Sequence, residues 1–241
     1  MNTILEPADK LTTRLSGEKY VTLSMIIPYV HGMMTELQGI KDRGNLTWEA
    51  QSFLDHFMDT AHNRLVRMYE TKSLSKCATL LDPRFKKEAF VSANRAREAR
   101  ETVEAQVARV LRQAAAERPA PHQRDETQPQ QWAQDEFLGF MARKVATRIQ
   151  NSTPAGDATT MVRQYVETPP ESDADPYTFW SQHGKSALQE LALGYLCIPA
   201  TSVSSERLFS AAGQVVVDRR SSLSPENTRI LVFLGGNTTH F

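Results

Sequence analysis

The chain has 241 residues, of which 40% are hydrophobic, and its 28 lysines and arginines balance its 28 aspartates and glutamates. This is enough apolar material for one large domain or two small ones, and the zero net charge excludes an overall field that would draw the chain onto nucleic-acid phosphates. No apolar run approaches the roughly 20 residues of a bilayer span, and Cys77 and Cys197, whose spacing fits neither a disulfide framework nor a zinc site, are expected to be buried thiols.

Residues 1–118 are predicted to form a helical array, because their apolar residues recur at spacings of three and four. A short first helix is expected over Ile4–Leu15, and Ser24 is expected to cap a second one. Thr47 opens the clearest helix. Its predicted buried side consists of Phe53, Leu54, Phe57, Met58, Ala61, Leu65 and Met68.

The polar residues of this array do not predict a binding site. Asp55, Asp59 and His62 have a spacing that could present metal ligands together, but polar residues fill the outer face of any amphipathic helix. Asp82, followed by Pro83, is predicted to cap a last long helix that runs to about residue 118. Arginines and glutamates alternate along that helix, which is typical of a solvated face and does not favour phosphate binding.

Three segments with different compositions follow. Residues 119–131 are rich in proline, glutamine and charge and are predicted to be a polar linker. Residues 132–150 are predicted to form an amphipathic helix, and residues 151–174 a second linker, interrupted at 161–166 by a short helix or strand. A compact unit is expected from residue 175 to residue 241.

Capping and stop signals divide this C-terminal unit into helices. Ser202 can cap one helix, Gly213 can end it in a left-handed conformation, and Ser224 can cap the final helix. Residues 215–217, between the two, are predicted to be either a strand or a buried connection.

The C-terminal unit also carries more apolar residues than one face of so small a unit can hide. The residues assigned to a dimer interface or to the core are Trp180, Leu191, Leu196, Leu208, Phe209, Leu231 and Phe233. Part of this surface is expected to belong to a partner. The alternative is that these residues pack against the upstream helices of the same chain, and each possibility can hold for different residues.

Several runs of the unit resemble the C-terminal region of the hAT family of transposases. They are Asp-Pro-Tyr-Thr-Phe-Trp at 175–180, Ile-Pro-Ala-Thr-Ser-Val-Ser-Ser-Glu-Arg-Leu-Phe-Ser-Ala-Ala-Gly at 198–213 and Arg-Arg-Ser-Ser-Leu-Ser-Pro-Glu-Asn at 219–227. Upstream, Cys-Ala-Thr-Leu-Leu-Asp-Pro-Arg-Phe-Lys-Lys at 77–87 and Leu-Ser-Gly-Glu-Lys-Tyr at 15–20 look similar to the zinc-finger-BED (ZBED-like) members. The resemblance implies a mainly α chain, with a helical insertion-type domain followed by the C-terminal remnant of an RNase H-like transposase fold. It also implies that residues 175–241 are the family's dimerisation domain.

The resemblance further implies that catalysis in the family uses three carboxylates that hold divalent metal ions. The last of them belongs to the Ser-Glu-Arg block, here Ser205, Glu206 and Arg207. One carboxylate cannot assemble a two-metal site, and the other two acids are expected upstream of the insertion in which this chain begins. Glu206 is therefore expected to be a structural residue paired with Arg207 or Arg219. No catalytic centre, BED zinc finger, metal or cofactor is predicted.

The leading hypothesis is a protein dimerisation module of a domesticated hAT transposase-like nuclear protein. Its expected partner is a second copy or a related hAT protein, DNA would be reached only through segments missing from this sequence, and no membrane is involved. In the alternative, the chain is the C-terminal fragment of an active hAT transposase, or of a ZBED-type transcription regulator or SUMO ligase. A start inside a family-internal segment favours a truncated sequence over a complete one.

Overall fold

A computed structural model describes residues 2–117, 140, 153–215 and 224–237. Regular structure in these ranges is entirely helical, which confirms the predicted mainly α class. The predicted linker over 119–131 lies outside the described residues. So does the predicted helix over 132–150, apart from residue 140, and so do residues 216 and 217 of the predicted strand or connection.

In chain order, the described α-helices are α1 (Asn2–Leu15), α2 (Ile26–Asp42), α3 (Trp48–Ala61), α4 (Arg67–Thr71), α5 (Ser73–Leu81), α6 (Ala93–Glu117), α7 (Pro154–Glu167), α8 (Pro176–Gln182), α9 (Ala187–Leu196), α10 (Val203–Val215) and α11 (Pro225–Asn237). Short 3-10 turns occur at Leu23–Met25 and Lys86–Ala89, and a π-helical turn at His62–Val66 continues α3.

The chain divides into two compact units. Unit 1 comprises Met1–Tyr69 and Cys197–Phe241, and unit 2 comprises Glu70–Leu196. Residues 175–241, which the sequence predicts to be one unit, are thus divided, since α8 and α9 pack within unit 2 whereas α10 and α11 belong to unit 1.

In unit 1, α2 packs against both α1 and α3. Leu37 and Leu54 are fully buried in this core, and the Thr47 hydroxyl caps α3 by accepting a hydrogen bond from the Ala50 N–H, as predicted. Ser24 does not cap α2. It is buried inside the 3-10 turn that precedes this helix, which begins without a side-chain cap.

The predicted buried side of α3 is only partly buried. Leu54 and Ala61 are buried, Phe57 is half-buried, and Phe53 is exposed and stacks on Phe57 with their ring centroids 6.1 Å apart. Aromatic stacking between positions i and i+4 shields part of both rings without a tertiary neighbour. The helix therefore forms as predicted, with a narrower apolar face.

In unit 2, the long helix α6 packs against α5, α7 and α9. Val103 and Val107 of α6 and Val162 of α7 are fully buried between these helices. Cys77 is buried, as predicted, whereas Cys197, at the start of the C-terminal part of unit 1, is exposed.

Asp82 does not begin the long helix, which starts at Ala93. Its carboxylate is fully buried at the end of α5 and accepts hydrogen bonds from the Arg84 backbone N–H (3.0 Å) and from the Arg84 guanidinium (2.9 and 2.7 Å). A bidentate, charge-assisted contact to a neighbour two residues away uses the oxygens that a helix cap would need.

Helix α7 occupies most of the segment predicted to be a linker. The Thr153 hydroxyl caps it by accepting a hydrogen bond from the Gly156 N–H at 3.1 Å, and a proline follows at the first helical position. The helix buries one narrow stripe, which consists of Ala158, Val162, Tyr165 and Val166. Packing against α6 stabilises a helix whose polar composition had suggested a loop.

Lys86 closes the end of α7. Its ammonium donates hydrogen bonds to the Thr168 carbonyl (3.1 Å) and hydroxyl (2.5 Å) and to the Pro169 carbonyl (3.1 Å), and it lies 4.7 Å from the ring centroid of Tyr165. These contacts hold a non-glycine residue at a left-handed φ of 48°. The amine is buried, and this burial lowers the pKa of Lys86.

Candidate self-association surface

Helices α10 and α11 pack against each other in unit 1 and form from different local signals. The Ser224 hydroxyl caps α11, as predicted, by accepting a hydrogen bond from the Asn227 N–H at 3.3 Å. The Ser202 hydroxyl instead donates to the carboxylate of Glu206 at 2.6 Å. Gly213 does not stop α10, because it lies inside this helix without a left-handed φ.

The two helices expose an unusual amount of apolar surface. Among the described residues, neither contributes a buried side chain to unit 1. Their exposed large apolar residues are Leu208, Phe209, Ile230, Leu231, Phe233 and Leu234. The two phenylalanines are the most open, with 74% of Phe209 and 65% of Phe233 accessible. Single exposed apolar side chains are ordinary, but a group of six on two contacting helices is a candidate interaction surface.

Helical spacing gathers the residues of α11 on one side. Ile230, Phe233 and Leu234 have i, i+3 and i+4 spacing and so share a face, while Leu231 lies at its margin. Thr228, on the opposite side of the helix, is half-buried. We call the six apolar residues of α10 and α11 the apolar surface.

The structure separates the residues predicted to lie in the interface or core. Four of them, Leu208, Phe209, Leu231 and Phe233, belong to the apolar surface. The others lie in unit 2, where Trp180 and Leu196 are buried and Leu191 is half-buried. Ile230 and Leu234, which were not among the predicted site residues, complete the surface, and their i, i+4 spacing with Phe233 between them was the available signal.

Trp180 is the clearest core residue of the C-terminal part. Its indole N–H donates to the Leu81 carbonyl at 2.9 Å, and its ring lies 4.8 Å from that of Tyr165 and 5.4 Å from that of Phe179. Only 2% of its surface is accessible. Of the two alternatives for the apolar residues of this part, Trp180 follows the second: it packs against upstream helices of the same chain.

The Ser-Glu-Arg block lies on the exposed side of α10. Ser205 is exposed, and the Glu206 carboxylate accepts a hydrogen bond from the hydroxyl of Ser202, the residue before α10. Arg207 makes contacts with residues outside α10. The Arg207 guanidinium lies 2.6 Å from a carboxylate oxygen of Glu18 and 3.4 Å from the Ser16 carbonyl oxygen. The predicted pairing of Glu206 with Arg207 is thus not the contact that forms, and Arg219, the other predicted partner, lies outside the described residues.

Other clusters of charge are explained by local ion pairs. Lys41 lies 2.8 Å from Asp55, and this hydrogen-bonded ion pair lowers the pKa of the Asp55 carboxyl. Within α6, Arg97 pairs with Glu101 at 2.9 Å. Across the described ranges, no group of three or more His, Cys, Asp and Glu side chains is placed to hold a metal ion, and no helix is long and apolar enough to cross a membrane.

Comparison with known proteins points to the same helices. Residues 159–238 match the family model for the hAT family C-terminal dimerisation region. No curated protein matches the chain. The matched residues are thus similar to the dimerisation region of the hAT family, in agreement with the resemblance of the sequence motifs. The match includes most of α7 and all of α8 and α9 as well as the apolar surface.

Proposed function

We propose that this chain is the dimerisation module of a domesticated hAT transposase-like nuclear protein of the ZBED-like kind, and that it self-associates through the apolar surface of α10 and α11. The proposal rests on one observation: inside the matched dimerisation region, α10 and α11 expose six large apolar side chains together. The matched residues of α8 and α9 have their main apolar side chains in the core of unit 2 and are not available in the same way.

A second copy is the occupant that this surface fits. In a two-fold dimer each chain offers the same patch, so that Phe209 and Phe233 of both chains would be covered at once. Buried aromatic residues at the centre of an interface supply much of the free energy of association. A related hAT protein would use the same surface, and a mixture of the two chains would then form heterodimers.

We also propose that the chain has no catalytic activity of its own. Glu206, which the resemblance matches to the last family acid, is exposed and bound by the Ser202 hydroxyl. The same resemblance supports the C-terminal remnant of an RNase H-like fold and a nuclear location. The second candidate is the C-terminal fragment of an active hAT transposase, or of a ZBED-type transcription regulator or SUMO ligase, which the family match equally favours.

Replacing Phe233 by aspartate tests the proposed surface. Because Phe233 is mostly exposed in the single chain, Phe233→Asp should change helicity and melting temperature much less than it changes the Kd. In a dimer it would place an unpaired carboxylate in a buried contact, which costs several kcal/mol and raises the Kd about 100-fold or more. Sedimentation at graded concentrations measures this Kd.

Glu226→Ala is the matched control on the same helix. Glu226 is exposed in the first turn of α11, so its loss should change the Kd by a factor of about five at most. A wild-type chain that stays folded and monomeric at roughly 50 µM, where a micromolar dimer would form, contradicts self-association by this surface.

A further inference from the structure

Polar contacts with one loop attach α10 to the rest of unit 1. The loop joins α1 to α2 and comprises residues 16–22, which we call the anchor loop. The Thr22 hydroxyl accepts a hydrogen bond from the Ala200 N–H at 2.9 Å, just before α10 begins. One turn into α10, Arg207 lies 2.6 Å from Glu18 and 3.4 Å from the Ser16 carbonyl oxygen.

These contacts are polar and lie at the start of α10. None of the side chains of α10 and α11 whose burial the structure describes is buried. Segments held by exposed polar contacts open at a lower free-energy cost than segments of a buried core. A contact that would be negligible in a well-packed core then changes the fraction of chains in which α10 is in place.

The two anchor contacts differ in strength. The side chains of Arg207 and Glu18 are 58% and 46% accessible, so their ion pair is screened by salt. Such a pair contributes a factor of about two to five to the equilibrium constant between attached and detached α10. Thr22 is only 2% accessible, so its hydroxyl is shielded from water that would compete for the Ala200 N–H. The ion pair is therefore the contact that ionic strength can loosen.

We propose that the anchor loop positions α10 for self-association, with Glu18, Thr22 and Arg207 as positioning residues that do not contact the partner. This inference rests on the proposed function. The apparent Kd of a protein rises as the fraction of its molecules in the binding-competent conformation falls. Because both chains of a dimer must have α10 in place, loss of the ion pair acts twice on the dimer Kd.

A charge swap in the full chain tests the inference. Because the factor of two to five acts twice, Glu18→Arg and Arg207→Glu should each raise the dimer Kd by about 4- to 25-fold at low salt. The increase should be smaller in 0.5 M salt, where the Debye length is only about 4 Å. The double variant restores an ion pair of opposite direction, so its Kd should return to within about twofold of the wild type. The melting temperature should not change in any of them, because none of these residues belongs to the core.

Lys10→Glu is the matched control. Lys10 forms a similarly exposed ion pair with Glu6 on α1, 3.1 Å apart, and its reversal changes the net charge as much as Arg207→Glu does. The Kd of this variant should equal that of the wild type. A single swap with a wild-type Kd overturns the inference and leaves the proposed function intact. A double variant as weak as Arg207→Glu also overturns it, because Arg207 would then contact the partner directly.

Hydrogen exchange separates a failed anchor from a failed dimer. At concentrations where the chain is monomeric, Glu18→Arg should speed exchange of the α10 amides by about the factor that the ion pair contributes, two to five, and leave α6 unchanged. Unchanged exchange in α10 would refute the anchor even if the wild-type chain proved to be a monomer at every concentration.

Discussion

Replacing Trp180 by phenylalanine distinguishes core from interface in the part of the chain that matches the dimerisation region. The wild-type indole is almost inaccessible and donates a hydrogen bond to the carbonyl of Leu81, a residue that is itself fully buried. Phenylalanine keeps an aromatic ring beside Tyr165 and Phe179 but removes the N–H donor and part of the ring volume.

The expected cost follows from these contacts. Leaving a buried carbonyl without its donor costs about 1–3 kcal/mol, and removing three ring atoms from a packed site costs about 1–2 kcal/mol more. The sum, about 2–5 kcal/mol, is a large part of the stability of a unit of this size and should lower its melting temperature by roughly 8–20 °C. The dimer Kd should not change at temperatures where both proteins are folded.

Circular dichroism melts and sedimentation at 20 °C make the two measurements. Phe209→Ala is the counterpart on the apolar surface, because its ring is 74% accessible and takes no part in the core of the single chain. It should leave the melting temperature unaltered while raising the Kd about tenfold or more. If Trp180→Phe raised the Kd by that much and left the melting temperature within about 2 °C, then the wild-type residue would belong to the interface and the reasoning from burial would be refuted.

Two further predictions concern single carboxylates. The Asp175 carboxylate caps α8 by accepting a hydrogen bond from the Thr178 N–H at 2.8 Å, and this bond lowers the pKa of Asp175 below its ordinary value of 3.8. A carboxyl whose pKa is lowered in the folded state stabilises the fold above its unfolded-state pKa, and this stabilisation is lost as the pH falls through the folded-state pKa. Asp175→Ala should therefore cost about 1 kcal/mol at pH 7 and progressively less below about pH 4. Thermal melts at a series of pH values measure this cost. For Glu206, we expect no magnesium- or manganese-dependent DNA cleavage by the wild-type chain, and cleavage that disappeared in Glu206→Gln would contradict the proposed lack of catalysis.

Caps and apolar spacing predicted the helices whose ends and buried faces are determined by residues close by in the sequence. The Thr47 cap and the spacing of Leu54 and Ala61 identify α3, and the cap of α11 at Ser224 is equally local. Helix α7 was predicted only in part, as a short helix or strand over 161–166, because its composition is polar and its four buried residues stabilise it only by packing against α6. At Asp82, an Asp-Pro pair fits a helix start, but Arg84 competes for the same carboxylate oxygens.

The sequence motifs identified the region that contains the candidate surface, but only the structure shows which of its apolar residues are buried and which are exposed. Trp180 and Phe209 are both large aromatic residues in runs that resemble the family, and their sequence spacing does not distinguish a core residue from an exposed one. Trp180 is buried and donates a hydrogen bond to the carbonyl of Leu81, 99 residues upstream, whereas 74% of Phe209 is accessible. Which apolar residue meets its own chain depends on long-range packing, which periodicity does not encode.

The division of the matched region between two compact units has a practical consequence for the choice of fragments. A piece cut at residue 159 would lose Thr153, the cap of α7, and would leave the Trp180 indole without the Leu81 carbonyl. It would also lose Lys86, whose ammonium closes the far end of α7. A fragment that follows the family boundary would thus carry α8 and α9 without the upstream residues that contact them or close α7. The boundary of the family match and the boundaries of the compact units do not coincide.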